Sequence, residues 1–241
     1  MLKAIALVPS APVLVPALAT GAAAELTDLL TAVTSVVTEL PDRWVVIGTG
    51  PADDVIGSGA VGTFAGYGAD VRVRLSPHGA DEARELPLSA LIAAWVRGHA
   101  ASDAYAEVWV YAADLGVDAA LDRGRALRAE IDDAADPVGV LVVADGANTL
   151  TPPAPGGYDP ESIPVQNALD DALACGDAAA LTRLPDRVVG RVAYQVLAGL
   201  VGSTPCSARE RYRGAPYGVG YFVGTWVPRA GETDAIGGSI E

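Results

Sequence analysis

Histidine is scarce in this chain, with only His78 and His99 among 241 residues. Imidazole-based metal centres draw on two or three such side chains converging from separate segments. His78 sits in a Pro-Gly loop, and His99 falls near the end of a helical stretch. Neither stands beside a serine or cysteine suited to nucleophilic chemistry, so both read as solvated loop or helix-end residues. Cysteine is equally rare. Cys175 and Cys206 lack CxxC spacing and are too few for a disulfide framework, which points to a reducing, cytoplasmic setting. Cys175 lies within an apolar helical pattern and is expected to be a small buried hydrophobe. Basic residues are outnumbered, 16 Lys and Arg against 30 Asp and Glu, for a net charge of -14. That field repels phosphate, so nucleic acid and anionic membrane surfaces are excluded as partners. No apolar run is long enough and free enough of breakers to span a bilayer. Met1-Leu2-Lys3 and the apolar residues after it imitate a leader peptide, but Pro9, Pro12 and Pro16 interrupt them. A first strand and loop is the expectation there.

Common catalytic signatures are missing too. There is no GxxxxGK followed by Ser or Thr, and no GxSxG elbow. Gly57-Ser58-Gly59-Ala60-Val61-Gly62 matches GxGxxG in letters. No strand leads directly into it, however, and Phe64, Gly66, Tyr67 and Gly68 do not continue it as a helix, so a glycine-rich turn is expected.

What the chain has is apolar residues, 51% of the total, in alternating patterns. Residues 4–8, 44–47, 71–75, 108–112 and 138–144 are short Val- and Ile-rich runs of strand type. Several lack polar alternation, as suits strands covered on both faces. Residues 23–39, 87–99, 117–134, 160–174 and 187–201 carry apolar positions at helical spacing. Asp159-Pro160-Glu161 is a helix start, and Gly176 and Gly202 are stops. The fold class is α/β: a single wound central β-sheet flanked by helices on both faces. One domain is expected over residues 1–227, with a frayed tail over 228–241. The Pro- and Gly-rich stretch 151–160 is a surface loop inside that domain. Val219, Tyr221, Phe222, Val223 and Trp226 form either a buried strand or a contact between two copies.

Three segments together resemble one family. Val8-Pro9-Ser10-Ala11-Pro12-Val13-Leu14-Val15-Pro16 resembles the Pro-His-Pro-Pro-Leu-Leu strand end of the LigB-like proteins, the class III extradiol ring-cleavage dioxygenases and their Memo-like relatives. Val45-Val46-Ile47-Gly48-Thr49-Gly50 is similar to their second strand, which ends Ser-Pro-His. The segment from Val142 to Leu150 is similar to their Ala-Ser-Gly-Asp-Leu-Ser-His. Gly157-Tyr158-Asp159-Pro160, the helix with Asn167 and Asp170, and Ala215-Pro216-Tyr217-Gly218-Val219-Gly220-Tyr221 follow in the family's order, so the resemblance covers nearly the whole chain. It implies a LigB-like sheet, pairing of two copies, and a non-haem iron or zinc site. The chemistry departs from the family. The metal-binding histidine positions are Ser10 and Gly50, and in the third motif Ala147 and Leu150 stand at the aspartate and histidine positions. A neutral hydroxyl and a bare glycine do not replace imidazoles. Glu210 is a carboxylate in the late region, and the resemblance does not fix which residue stands at the family's ligand glutamate.

The expectation is therefore a protein with no metal, no cofactor and no catalytic residue. Its old cleft, lined by Ser10, Thr49, Gly50, Asp145 and Asn148, would bind a small polar ligand or a partner surface, since open α/β sheets take ligands at their strand ends. One alternative is a rebuilt metal-independent enzyme in which Asp145 acts as base toward Ser10. Another is a dioxygenase whose ligands lie elsewhere. Asp145 and Asn148 also fit ordinary turn chemistry.

Overall fold

The computed structural model describes residues 1–19, 26–80 and 82–229. Strand β1, Leu2–Val8, is buried along its length except at Lys3, so helices must cover it on both sides. β2 (Arg43–Gly50), β6 (Tyr105–Ala112) and β7 (Val138–Val143) run parallel to it. β3 (Asp54–Ile56), β8 (Cys206–Gly214) and β9 (Tyr221–Pro228) join antiparallel, giving a sheet ordered β3-β6-β2-β7-β1-β9-β8. Helices α1 (Thr27–Val37) and α2 (Leu88–Ala100) pack on one face, in a core with Val8, Val46 and Val143. On the other, α3 (Val117–Asp133), α4 (Ser162–Cys175), the short α5 (Ala178–Leu181) and α6 (Arg191–Val201) enclose Ile5, Ile47 and Val142. The wound α/β sheet is thus as the sequence describes it.

Several local expectations need correction. Residues 71–75 give β5 (Arg72–Arg74), which lies outside the main sheet and pairs with β4 (Val61–Thr63) in a separate two-stranded one. The Gly57–Gly62 motif lies between β3 and β4 and runs into β4, as turn chemistry requires. α4 begins two residues later than Asp159-Pro160 suggests. Asp159 instead shapes the turn before it, its Oδ1 accepting from the Glu161 N–H at 3.0 Å. Cys175 is exposed, not buried. Leu169, Ala172 and Leu173 define the inward face of α4, and Cys175 lies about 200° around from Leu173. Pro228 belongs to β9, and residues 230–241, the rest of the expected tail, lie outside the described residues. Tyr221, Phe222, Val223 and Trp226 are buried within this one chain, with the Trp226 indole donating to the Leu173 carbonyl at 2.7 Å. That is the buried-strand alternative.

Candidate functional site

Four central strands end together. Val8 pairs with Val143, Ile47 with Val142, and Leu7 with Gly224. Continuing each register past the strand ends sets Gly50, Asp145, Ser10 and Tyr221 in one row, about 15 Å wide at ordinary strand spacing. Alternation turns these positions toward the face covered by α1 and α2, the face of Val46, Val143, Val8 and Val223.

The row's centre is Asp145. Its Oδ1 accepts a hydrogen bond from the Ser10 backbone N–H at 2.8 Å. The rebuilt-enzyme alternative requires the Ser10 hydroxyl in that place, and the observed contact leaves it without a base. From behind, the Tyr194 hydroxyl donates to the Ala144 carbonyl at 3.1 Å, and the Gly190 N–H donates to the Asp145 carbonyl at 2.9 Å. These bonds fix the backbone that presents the carboxyl. Asp145 as a residue keeps some accessible surface, while protein packs closely around its carboxyl. Desolvation therefore pushes its pKa up to about 7, opposed only in part by the Ser10 N–H. Tyr221 is raised as well, by burial first and then by the negative charge of Asp145. Neither the Tyr221 hydroxyl nor the second Asp145 oxygen has a hydrogen-bond partner among the described residues. The sequence reading places Tyr221 only in a strand. Its membership of the row follows from the β1–β9 register, which no local pattern encodes.

The other expected members separate. Thr49 pairs with Tyr111, so its side chain is directed to the opposite face, the one α3 and α6 cover. Asn148 runs away from the row toward the 151–160 loop, its carbonyl accepting from the Gly156 N–H at 3.0 Å. That loop folds back over residues 148 and 149, where the Thr149 hydroxyl bonds the Ser162 hydroxyl at 2.7 Å. Gly50 leaves no open room in the direction of a side chain: a Cβ there would come within 2.6 Å of Val110 Cγ1 and 3.8 Å of Pro87 Cβ.

A family-type metal does not fit these residues. Gly50 has no donor, and a histidine there would strike Val110. His78 is exposed in the loop after β5, and His99 stacks on Trp95 with ring centroids 5.0 Å apart. α2 starts beside Gly50 and runs away from it, so its last turn, with His99, is about 16 Å from the row. Glu210 lies on the outer strand β8 and is held by Arg213 at 2.9 and 2.5 Å. Among the described residues, no group of three or more His, Cys, Asp or Glu could hold a metal ion. No described helix is long and apolar enough to cross a membrane.

Among the cavities away from the row, two are lined by buried or paired charged groups. One of about 450 Å³ sits between β3, β6 and α3, lined by Val55, Trp109, Tyr111 and the Asp53–Arg123 ion pair. The other, about 370 Å³, opens between α4, Leu150 and the end of β8.

No protein family matches the sequence, and no curated protein does. Among solved structures, the chain is similar to that of an uncharacterized protein from Escherichia coli K12. The TM-score is 0.56 at 10% identity, over 93% of this chain and 99% of that one. Likeness at that identity shows the shared fold.

Proposed function

We propose that this chain is a LigB-like protein without the family's metal chemistry, and that its strand-end row binds a small hydroxylated molecule. The observation that carries this is the Asp145 carboxyl: held on one oxygen by the Ser10 N–H, without a hydrogen-bond partner on the other among the described residues, and near enough for its charge to act on Tyr221 two strands away in the row. A carboxyl near its midpoint at neutral pH both accepts from and donates to a ligand hydroxyl, and the phenol adds a second such group. The missing imidazoles favour binding over ring cleavage, because the histidine positions offer only Ser10 and Gly50. The lack of open room at Gly50 restricts the ligand to the Asp145–Tyr221 half of the row.

The test has two parts. Protein purified from iron- and zinc-replete medium should carry well under one metal per chain and leave catechol unopened. Ligand-observed NMR with catechol and a set of small polyols should then detect binding that Asp145→Asn changes. Stoichiometric metal, ring-opened product, or a full set of compounds with no Asp145-dependent binding would each overturn the reading.

A further inference from the structure

The cavity beside α4 is built around a second buried carboxylate that the strand-end row does not use. Asp170 is 7% exposed, and its Oδ1 accepts from Gln166 Nε2 at 2.8 Å. Gln166 is itself 6% exposed, and its Oε1 accepts from the Ala147 backbone N–H at 2.8 Å. That second bond fixes the orientation of the amide, so the nitrogen must face Asp170. A methyl group at Gly146 or Gly220 would run into the amide, which leaves it no other place. Asp170 is therefore held rigidly by one neutral donor, and its other oxygen has no partner among the described residues.

The nearest cation does not neutralise it. Arg213 lines the same cavity, but its guanidinium is engaged by Asp171 at 2.9 Å and by Glu210 at 2.9 and 2.5 Å. No ion pair joins Arg213 to Asp170. Arg213, Glu210 and Asp171 all act on Asp170 by charge: the first favours its ionised form and the other two oppose it. Burial is the largest influence: it outweighs the Gln166 hydrogen bond and the Arg213 charge, which oppose it, and lifts the carboxyl to about 6, so at neutral pH it remains largely ionised. Leu150, Ile163 and Ala215 supply apolar wall, and the volume of about 370 Å³ lies within the range of small-molecule sites. A buried, ionised, half-partnered carboxylate at the base of a partly apolar cavity is complementary to one kind of guest. An anion would meet Asp170, and a neutral guest would leave its charge unpaired.

We infer that the α4 cavity is a binding site for a small alkylammonium ligand, whose cation bonds the free oxygen of Asp170 and whose alkyl part lies against Leu150 and Ile163. The site is separate from the strand-end row, and its ligand is of a different class.

The test is an NMR titration of the ¹⁵N-labelled full chain with n-butylammonium chloride at about 0.15 M NaCl, where surface charge is screened. Butan-1-ol and sodium butyrate serve as isosteric controls. Saturable shifts are expected at the Gln166 side-chain amide and the Ala147 backbone amide with the ammonium, and at most weak ones with the controls. Asp170→Asn keeps the acceptor for Gln166 and should weaken butylammonium binding about tenfold or more, as loss of a charge-assisted bond implies. Equal response to butan-1-ol, unsaturable shifts spread over the acidic surface, or undiminished affinity in Asp170→Asn would overturn the proposal. If the variant fails to fold, the discrimination between ammonium and alcohol in the unaltered chain decides alone.

Discussion

Asp145 ties stability to pH with a definite sign. In the unfolded chain its pKa is close to the usual aspartate value of about 3.9. In the folded chain desolvation holds it at about 7. Between those values the folded state retains a proton that the unfolded state has lost, so stability falls as pH rises through the window. Above about 7 the whole penalty of a buried charge is present. Asp170 acts in the same direction up to about 6. Asp145→Asn should therefore be more stable than the unaltered chain at pH 8, and the advantage should shrink at pH 5. Its amide oxygen can still accept from the Ser10 N–H. Urea midpoints at the two pH values check this, and an advantage that grows on acidification would refute it. At this scale the sequence was half legible. It marked Ser10, Gly50 and Asp145 at strand ends, and register brings them together. It could not separate Thr49 from Gly50, because adjacent residues of a strand face opposite ways and only pairing settles which is which. Tyr221 depends on the β1–β9 register, and the Gln166–Asp170 pair, although four residues apart on one helix, owes its burial to the contact of Gln166 with Ala147, which nothing local announces.

Among the elements, α3 and α6 come close together at two glycines. Gly124 lies against the Val196 carbonyl and the Leu200 amide of α6, and Gly199 lies against the Leu121 backbone of α3. A methyl group at either position would meet main-chain atoms, which cannot rotate aside. Gly199→Ala gains about 1 kcal/mol of helix propensity. Against this stands overpacking of about 3 kcal/mol, since two helices must move apart. The clash should win, and thermal unfolding should show Gly199→Ala destabilised. A variant as stable as the unaltered chain would mean that the helices separate freely. The long elements were readable from periodicity: β1, β2, β6 and β7 fall where the Val-rich runs lie, and α2, α3 and α6 where the apolar spacing lies. The missed ones have physical reasons. β3 and β4 are three residues long. β8 is largely solvent-facing and carries Arg209, Glu210, Arg211 and Arg213, so it offers no apolar alternation. Such charged or short strands are what guard a sheet's edges. β5 has the right composition but pairs locally with β4, and composition does not specify a partner.

For the molecule as a whole, the decisive feature is where β1 sits. It precedes β7 and β9 in the chain, yet it is flanked by both, with Val8 paired to Val143 and Leu7 to Gly224. A fragment ending at Gly202 lacks β8 and β9 and leaves one side of β1 open. It should show no cooperative unfolding transition and should aggregate, whereas a sharp transition would show that the remaining sheet suffices. The same placement bears on synthesis. Translation adds about 5–20 residues per second, so β1 waits about 10–40 s for its last neighbour to emerge from the ribosome. Throughout that interval an apolar strand with unsatisfied backbone groups is offered to any nascent chain nearby. The protein's hazard lies in this delay, and its yield in a cell should depend on how well holding chaperones cover β1 until β9 has been made.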